Sequence, residues 1–185
     1  MNYSECIIKA KDRIGKFCKA CPECNGRACK NQMPGPGSKG IGDTAVRNYD
    51  KWKEIRVQMD TIAENKPVDT SLELFGKTFC YPVFAGPVGA VSLHYGDCLD
   101  DVAYNDILVS ACAENGIAAF TGDGVDSNVM VAATEDIKKA GGVGIPTVKP
   151  WNLETIREKM ELVHESGAFA VAMDIDAAGL PFLKN

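Results

Sequence analysis

A chain of 185 residues, 45% of them apolar, can bury a real core and fits one or two domains. Its net charge of −5 comes from interspersed acids and bases, so there is neither a basic stripe for nucleic acid nor a like-charge block typical of a disordered tail. The polar first residues, with Glu5, Lys9 and Lys11, lack the apolar run of a secretory leader or a membrane span, and the expectation is a cytoplasmic protein with neither a nucleic-acid nor a membrane partner.

Of eight cysteines, Cys18, Cys21, Cys24 and Cys29 fall in the spacing C-x2-C-x2-C-x4-C. Disulfides are not expected in a reducing compartment, whereas four thiolates on a loop bent by Pro22, Asn25 and Gly26 can wrap a tetrahedral metal. The spacing is close to a ferredoxin run but has one more residue before its last cysteine, so an Fe–S cluster and Zn are both open, beside four plain reduced thiols. Lys16, Lys19, Arg27 and Lys30 would offset thiolate charge. Cys6, Cys80, Cys98 and Cys112 are scattered and read as small buried side chains.

Residues 1–48 form an N-terminal arm that ends in a Gly/Pro-rich loop, and residues 49–185 form the main domain. The loop holds Gly35-x-Gly37-x-x-Gly40, a dinucleotide fingerprint on paper, but no strand precedes it and Pro36 interrupts it, so it is read as chance. Residues 50–65 look helical or mixed, and 68–79 resemble a hairpin turning at Gly76-Lys77. Apolar strands are then expected at 81–85, 117–121, 143–147 and 168–173. Between them lie helices: one over 104–114 burying Ile107, Leu108, Ala111 and Cys112, one capped by Ser127 with a face of Val129, Met130, Ala133, Ile137 and Ala140, and one capped by Asn152 and stopped by Gly167, with a face of Leu153, Ile156, Met160 and Val163. The fold class is α/β, with parallel βα units forming about half of a TIM barrel or part of an open doubly wound sheet. Such a half sheet has open edges, so either a homo-oligomer or a missing C-terminal half is expected to complete it.

In both architectures ligands bind at the carboxyl ends of the strands. The residues there are Ala85-Gly86-Pro87, Thr121 with Gly122-Asp123-Gly124, Thr147-Val148-Lys149, and Asp174 with Asp176. Glycines allow a flat ligand to approach the backbone, Thr121 and Thr147 can hydrogen-bond it, and Lys149 can counter an anionic ring or phosphate. Each is also an ordinary turn residue. Asp174 and Asp176 could pair, His94 lies in the first strand-end loop, and His164 should be on the surface. No nucleophile elbow, Walker loop or H-E-x-x-H motif occurs, and no catalytic residue is assigned.

From Lys51 onward, and most specifically in VDTSLELFGKTFCYPVFAGPVGA, the chain resembles the N-terminal half of the FMN-dependent α-hydroxy-acid dehydrogenase and oxidase family, which includes glycolate and lactate oxidases. It is most similar to a cysteine-rich bacterial branch. The resemblance implies an FMN barrel acting on a small 2-hydroxy acid, with the flavin ring against Ala85, Gly86 and Pro87 and with Thr121 in contact. Pro146-Thr147-Val148-Lys149 stands where the family usually has glutamine and tyrosine, and Asp174 where it has threonine. The family's base histidine, substrate arginine and phosphate loops belong to its second half, so this chain alone is expected to be incomplete for catalysis. An FMN-dependent isomerase is a related alternative, as is an electron-transfer or structural metal module on the same scaffold.

Overall fold

The computed structural model describes residues 2–30 and 43–175, which fall into two compact units: Met1–Pro67 with Val91–Leu99, and Val68–Ala90 with Asp100–Asn185. The first unit contains three helices, α1 (Tyr3–Lys11), α2 (Thr44–Trp52) and α3 (Val91–Tyr95). Helix α1 begins in a capping box: the Asn2 side chain accepts from the Glu5 N–H while Glu5 reaches back to the Asn2 N–H. The mixed segment expected at 50–65 is helical only to Trp52, and its remainder has no regular structure. His94 lies within α3 rather than in a loop.

The second unit starts with an antiparallel hairpin, β1 (Leu72–Leu74) and β2 (Lys77–Phe79). The turn sits one residue earlier than expected, on Phe75 and Gly76, both at positive φ (49° and 76°), as a two-residue primed turn requires. The hairpin ends in Phe79, 3% exposed, whose ring packs edge-on against Phe84 and tilted against Phe169.

Three parallel strands follow, β3 (Phe120–Thr121), β4 (Ile145–Val148) and β5 (Ala172–Met173), in the order β3-β4-β5. The segment expected as the first strand, 81–85, joins β3 through a single parallel bridge, Ala85 to Ala119, with Ala85 N–H donating to Ala118 and Phe120 N–H donating to Ala85. Pro82 and Pro87 lack the N–H groups a longer ladder would use. All the parallel segments are shorter than their apolar runs, because register contact is made only over their carboxyl-terminal parts. Among the described residues the strands form an open parallel sheet rather than a closed ring.

Helices α4 (Asp101–Glu114), α5 (Ser127–Lys139) and α6 (Leu153–Ser166) pack on one face of this sheet. Val109 and Cys112 of α4 meet Ala119 and Ile137 in one cluster, and Met130 of α5 meets Val148 and Val163 in a second. The α5 face is as the sequence indicates, except that Asp126, not Ser127, is the cap, its carboxylate accepting from the Asn128 N–H. Helix α4 starts three residues early because Asp100 caps it, and its buried stripe is Asn105, Val109 and Cys112, leaving Ile107 54% exposed. On α6 the Asn152 cap and the Gly167 stop (φ 69°) are present, but Leu153 and Met160 face outward while Lys159, Val163 and Ser166 are buried.

Candidate functional site at the carboxyl ends of the strands

The pleat sorts the strand-end side chains between the two faces. A Cβ built on Gly144 would lie 2.5 Å from Ile137, and Val148 packs with Met130 and Val163, so Gly144, Pro146 and Val148 face the helices. Alternation then turns Ile145, Thr147 and Lys149 to the opposite face. Ala119 packs on Val109 and Ile137, which places Thr121 and Asp123 on the helix-facing side. Register pairs Thr147 with Ala172, so Asp174 projects beside Lys149 on the open face.

There the Lys149 ammonium donates to the Asp174 carboxylate at 2.9 Å, with the side chains 16% and 30% exposed. The Asp174 N–H also bonds Val148 at 2.9 Å, fixing the carboxylate's stem to the ladder. The Thr147 hydroxyl is buried with no hydrogen-bond partner among the described residues, and so is that of Thr121 on the other face. Thus of the strand-end residues expected together, Thr147, Lys149 and Asp174 share a face and Thr121 points away from it. Asp176, the second member of the possible pair, lies outside the described residues, as does the Gly35–Gly40 motif.

The first strand-end loop adds Gly86 and Pro87, both exposed. A Cβ on Gly86 would meet nothing within 4 Å, which leaves open backbone surface of the kind a planar ring can rest on. By contrast, a Cβ on Gly122 would fall 2.3 Å from the Val88 carbonyl oxygen, so the second loop is pressed directly onto the first.

Asp123, one of the strand-end residues but given no role of its own by the sequence, has a side chain that is 0% exposed. One oxygen accepts from Lys159 Nζ at 2.7 Å and the Gly124 N–H at 2.9 Å; the other accepts from the Lys149 N–H at 2.9 Å and Trp151 Nε1 at 2.7 Å. The Lys159 ammonium also stands 5.6 Å from the Trp151 ring centroid. A buried carboxylate is tolerable when all its acceptor positions and its charge are met, and here they are.

In the first unit, the Ala20 N–H donates to Cys18 Sγ at 3.5 Å, and Ala20 and Gly26 turn the chain at positive φ (45° and 74°). Burial, followed by the charge of Cys24 and then those of Cys18 and Cys21, pushes the Cys29 thiol up from its ordinary value, while its backbone hydrogen bond opposes the rise. Among the described residues no group of three or more His, Cys, Asp or Glu side chains is gathered as a metal site, so the four thiols stand near one another without converging. Of the scattered cysteines, Cys112 is buried on the inner face of α4 as expected, but Cys6, Cys80 and Cys98 are exposed, since α1 buries no residue and the other two lie at turns. His164 is exposed, as expected.

A family model described as FMN-dependent dehydrogenase matches residues 36–182. The chain belongs to this family. Family membership implies FMN, oxidoreductase chemistry and a small-molecule substrate, and the strand-end face is where the parallel topology puts the ligand. The residues fit such a group: on Thr147 a buried hydroxyl with no partner among the described residues, at Gly86 bare backbone, and at the end of β4 the Lys149 ammonium. No helix among the described residues is long and apolar enough to cross a membrane.

Proposed function

We propose that the chain carries the flavin-ring side of an FMN-dependent oxidoreductase acting on a small 2-hydroxy acid, its parallel units being part of a (βα)8 barrel. The observation that carries this reading is the family match across 36–182 together with Thr147, Lys149 and Asp174 on one sheet face. Bound FMN would supply two-electron oxidation of the hydroxyl-bearing carbon. In this reading Ala85, Gly86 and Pro87 offer backbone to the ring, and Thr147 hydrogen-bonds a ring heteroatom. Lys149 meets negative charge on the ring or the acid, and Asp174 holds its ammonium in place through the 2.9 Å contact. Thr121 acts from behind the strand, supporting its end.

The test is a titration of the purified chain with FMN, read by quenching of flavin fluorescence. Saturable binding that weakens about tenfold in Gly86→Val, with unchanged circular dichroism, is the expected result; an added side chain there meets no protein atom but would stand where the ring lies. Binding indifferent to Gly86→Val and Thr147→Val would remove the reading.

A second reading concerns the arm: Cys18, Cys21, Cys24 and Cys29 bind one thiophilic metal, as zinc or within an Fe–S cluster. It is supported by the cysteine spacing and by the N–H···S bond from Ala20, itself at positive φ, to Cys18. Elemental analysis of the purified chain should find about one zinc, or iron with sulfide, lost in Cys21→Ser. Absence of both metals, even after anaerobic reconstitution, would leave four ordinary thiols.

A further inference from the structure

We infer that Asp123, backed by Lys159, is the positioning residue of the strand-end face, fixing the backbone from which Lys149 presents its ammonium. Its functional consequence rests on the flavin reading above; its geometry does not. The Asp123 carboxylate is on the helix-facing side of the sheet, and all four of its bonds go to protein donors. It therefore has no free lone pair with which to take a substrate proton, and acts through what it holds. What it holds is the start of the third strand-end loop: the Lys149 N–H and the Trp151 indole are both on one oxygen. On the other face of the same residue, Lys149 Nζ is on Asp174. A line of contacts thus runs from α6 through Lys159 and Asp123 to the Lys149 main chain, then through its side chain to Asp174, just past β5.

Two observations show that the anchor is rigid. The Lys159 side chain is 8% exposed and its charge has a bonded counter-ion in Asp123, so neither group can leave without stranding the other. The loop bearing Asp123 cannot drift toward the first strand-end loop, since Gly122 is already against the Val88 carbonyl. In Asp123→Asn, an amide group would have to present an N–H to Lys159 or to the Lys149 and Trp151 donors, and one side of the anchor must open.

The readout is the chemical exposure of Lys149 itself. Trace competitive acylation of the full chain, followed by mass spectrometry, gives Lys149 labelling relative to Lys139, whose side chain is 71% exposed. Asp123→Asn and Lys159→Met, at a temperature where each is folded by circular dichroism, should raise that ratio roughly fivefold, approaching Asp174→Asn, which frees Lys149 directly. FMN affinity should fall in step. If Lys149 labelling rises while even the wild type fails to bind FMN, the flavin reading fails and the positioning role stands. If the ratio stays at the wild-type value in both variants although their Tm falls, Asp123 is merely structural and the inference is overturned. Should both variants fail to fold, Trp151→Phe, which removes one donor and keeps the ring, is judged by the same ratio.

Discussion

Thr147 shows how a single side chain can carry opposite signs for stability and binding. Its hydroxyl is buried without a partner among the described residues, so replacing it with the similarly shaped valine removes an unmet polar group and should stabilise the ligand-free chain by about 1 kcal/mol. The same change should weaken FMN binding several-fold; thermal melts with and without FMN read both effects. Cys112 gives a pH signature. Burial raises its thiol above the ordinary value, opposed by a backbone hydrogen bond from Ala85. The raised value means that its contribution is fully present below the thiol's ordinary range and is lost as pH climbs through that range toward the folded value. Cys112→Ala should therefore flatten the alkaline fall in Tm, although it lowers Tm near neutrality through lost packing. Lys149 and Asp174 were legible because charges directly after apolar runs stand out. The pairing of Asp123 with Lys159 was not, because it spans 36 positions and a lysine on a helix ordinarily points to water.

Helices were read from sequence better than strands, for a physical reason. A helix satisfies its own backbone and announces its ends, as Asn152 and Gly167 do for α6. Asn152→Ala should cost about 1 kcal/mol in denaturant melts, since its side chain is the acceptor for the Thr155 N–H. A strand is defined by its neighbour, and no local pattern says where pairing starts; hence 81–85 shrank to one bridge at Ala85. The cap expected at Ser127 is instead the adjoining Asp126, because the residue with extended backbone is the one that turns its oxygen onto the following N–H groups. The α6 face is as expected at Val163 but not at Leu153 and Met160, because the buried Lys159–Asp123 pair turns the Lys159 side of the helix inward.

At the scale of the whole molecule, α/β class and the parallel sense of the sheet followed from alternating apolar runs and helical periods, and both are present. What could not be read was how the strand-end loops lock together, because that depends on approach distances such as Gly122 to Val88. FMN that binds only the folded chain should raise its stability by about 2.7 kcal/mol at a hundredfold excess over Kd, visible as a concentration-dependent Tm. The hairpin that ends in Phe79 carries a consequence in time. Helices α4, α5 and α6 pack against sequence neighbours and can assemble early, whereas the Phe79 ring meets Phe169 only after every intervening unit is in place. Phe79→Ala should accordingly hasten unfolding in stopped-flow chevrons while leaving the refolding limb nearly unmoved. The aromatic seal then acts as a latch, setting how long the folded chain survives more than how fast it forms.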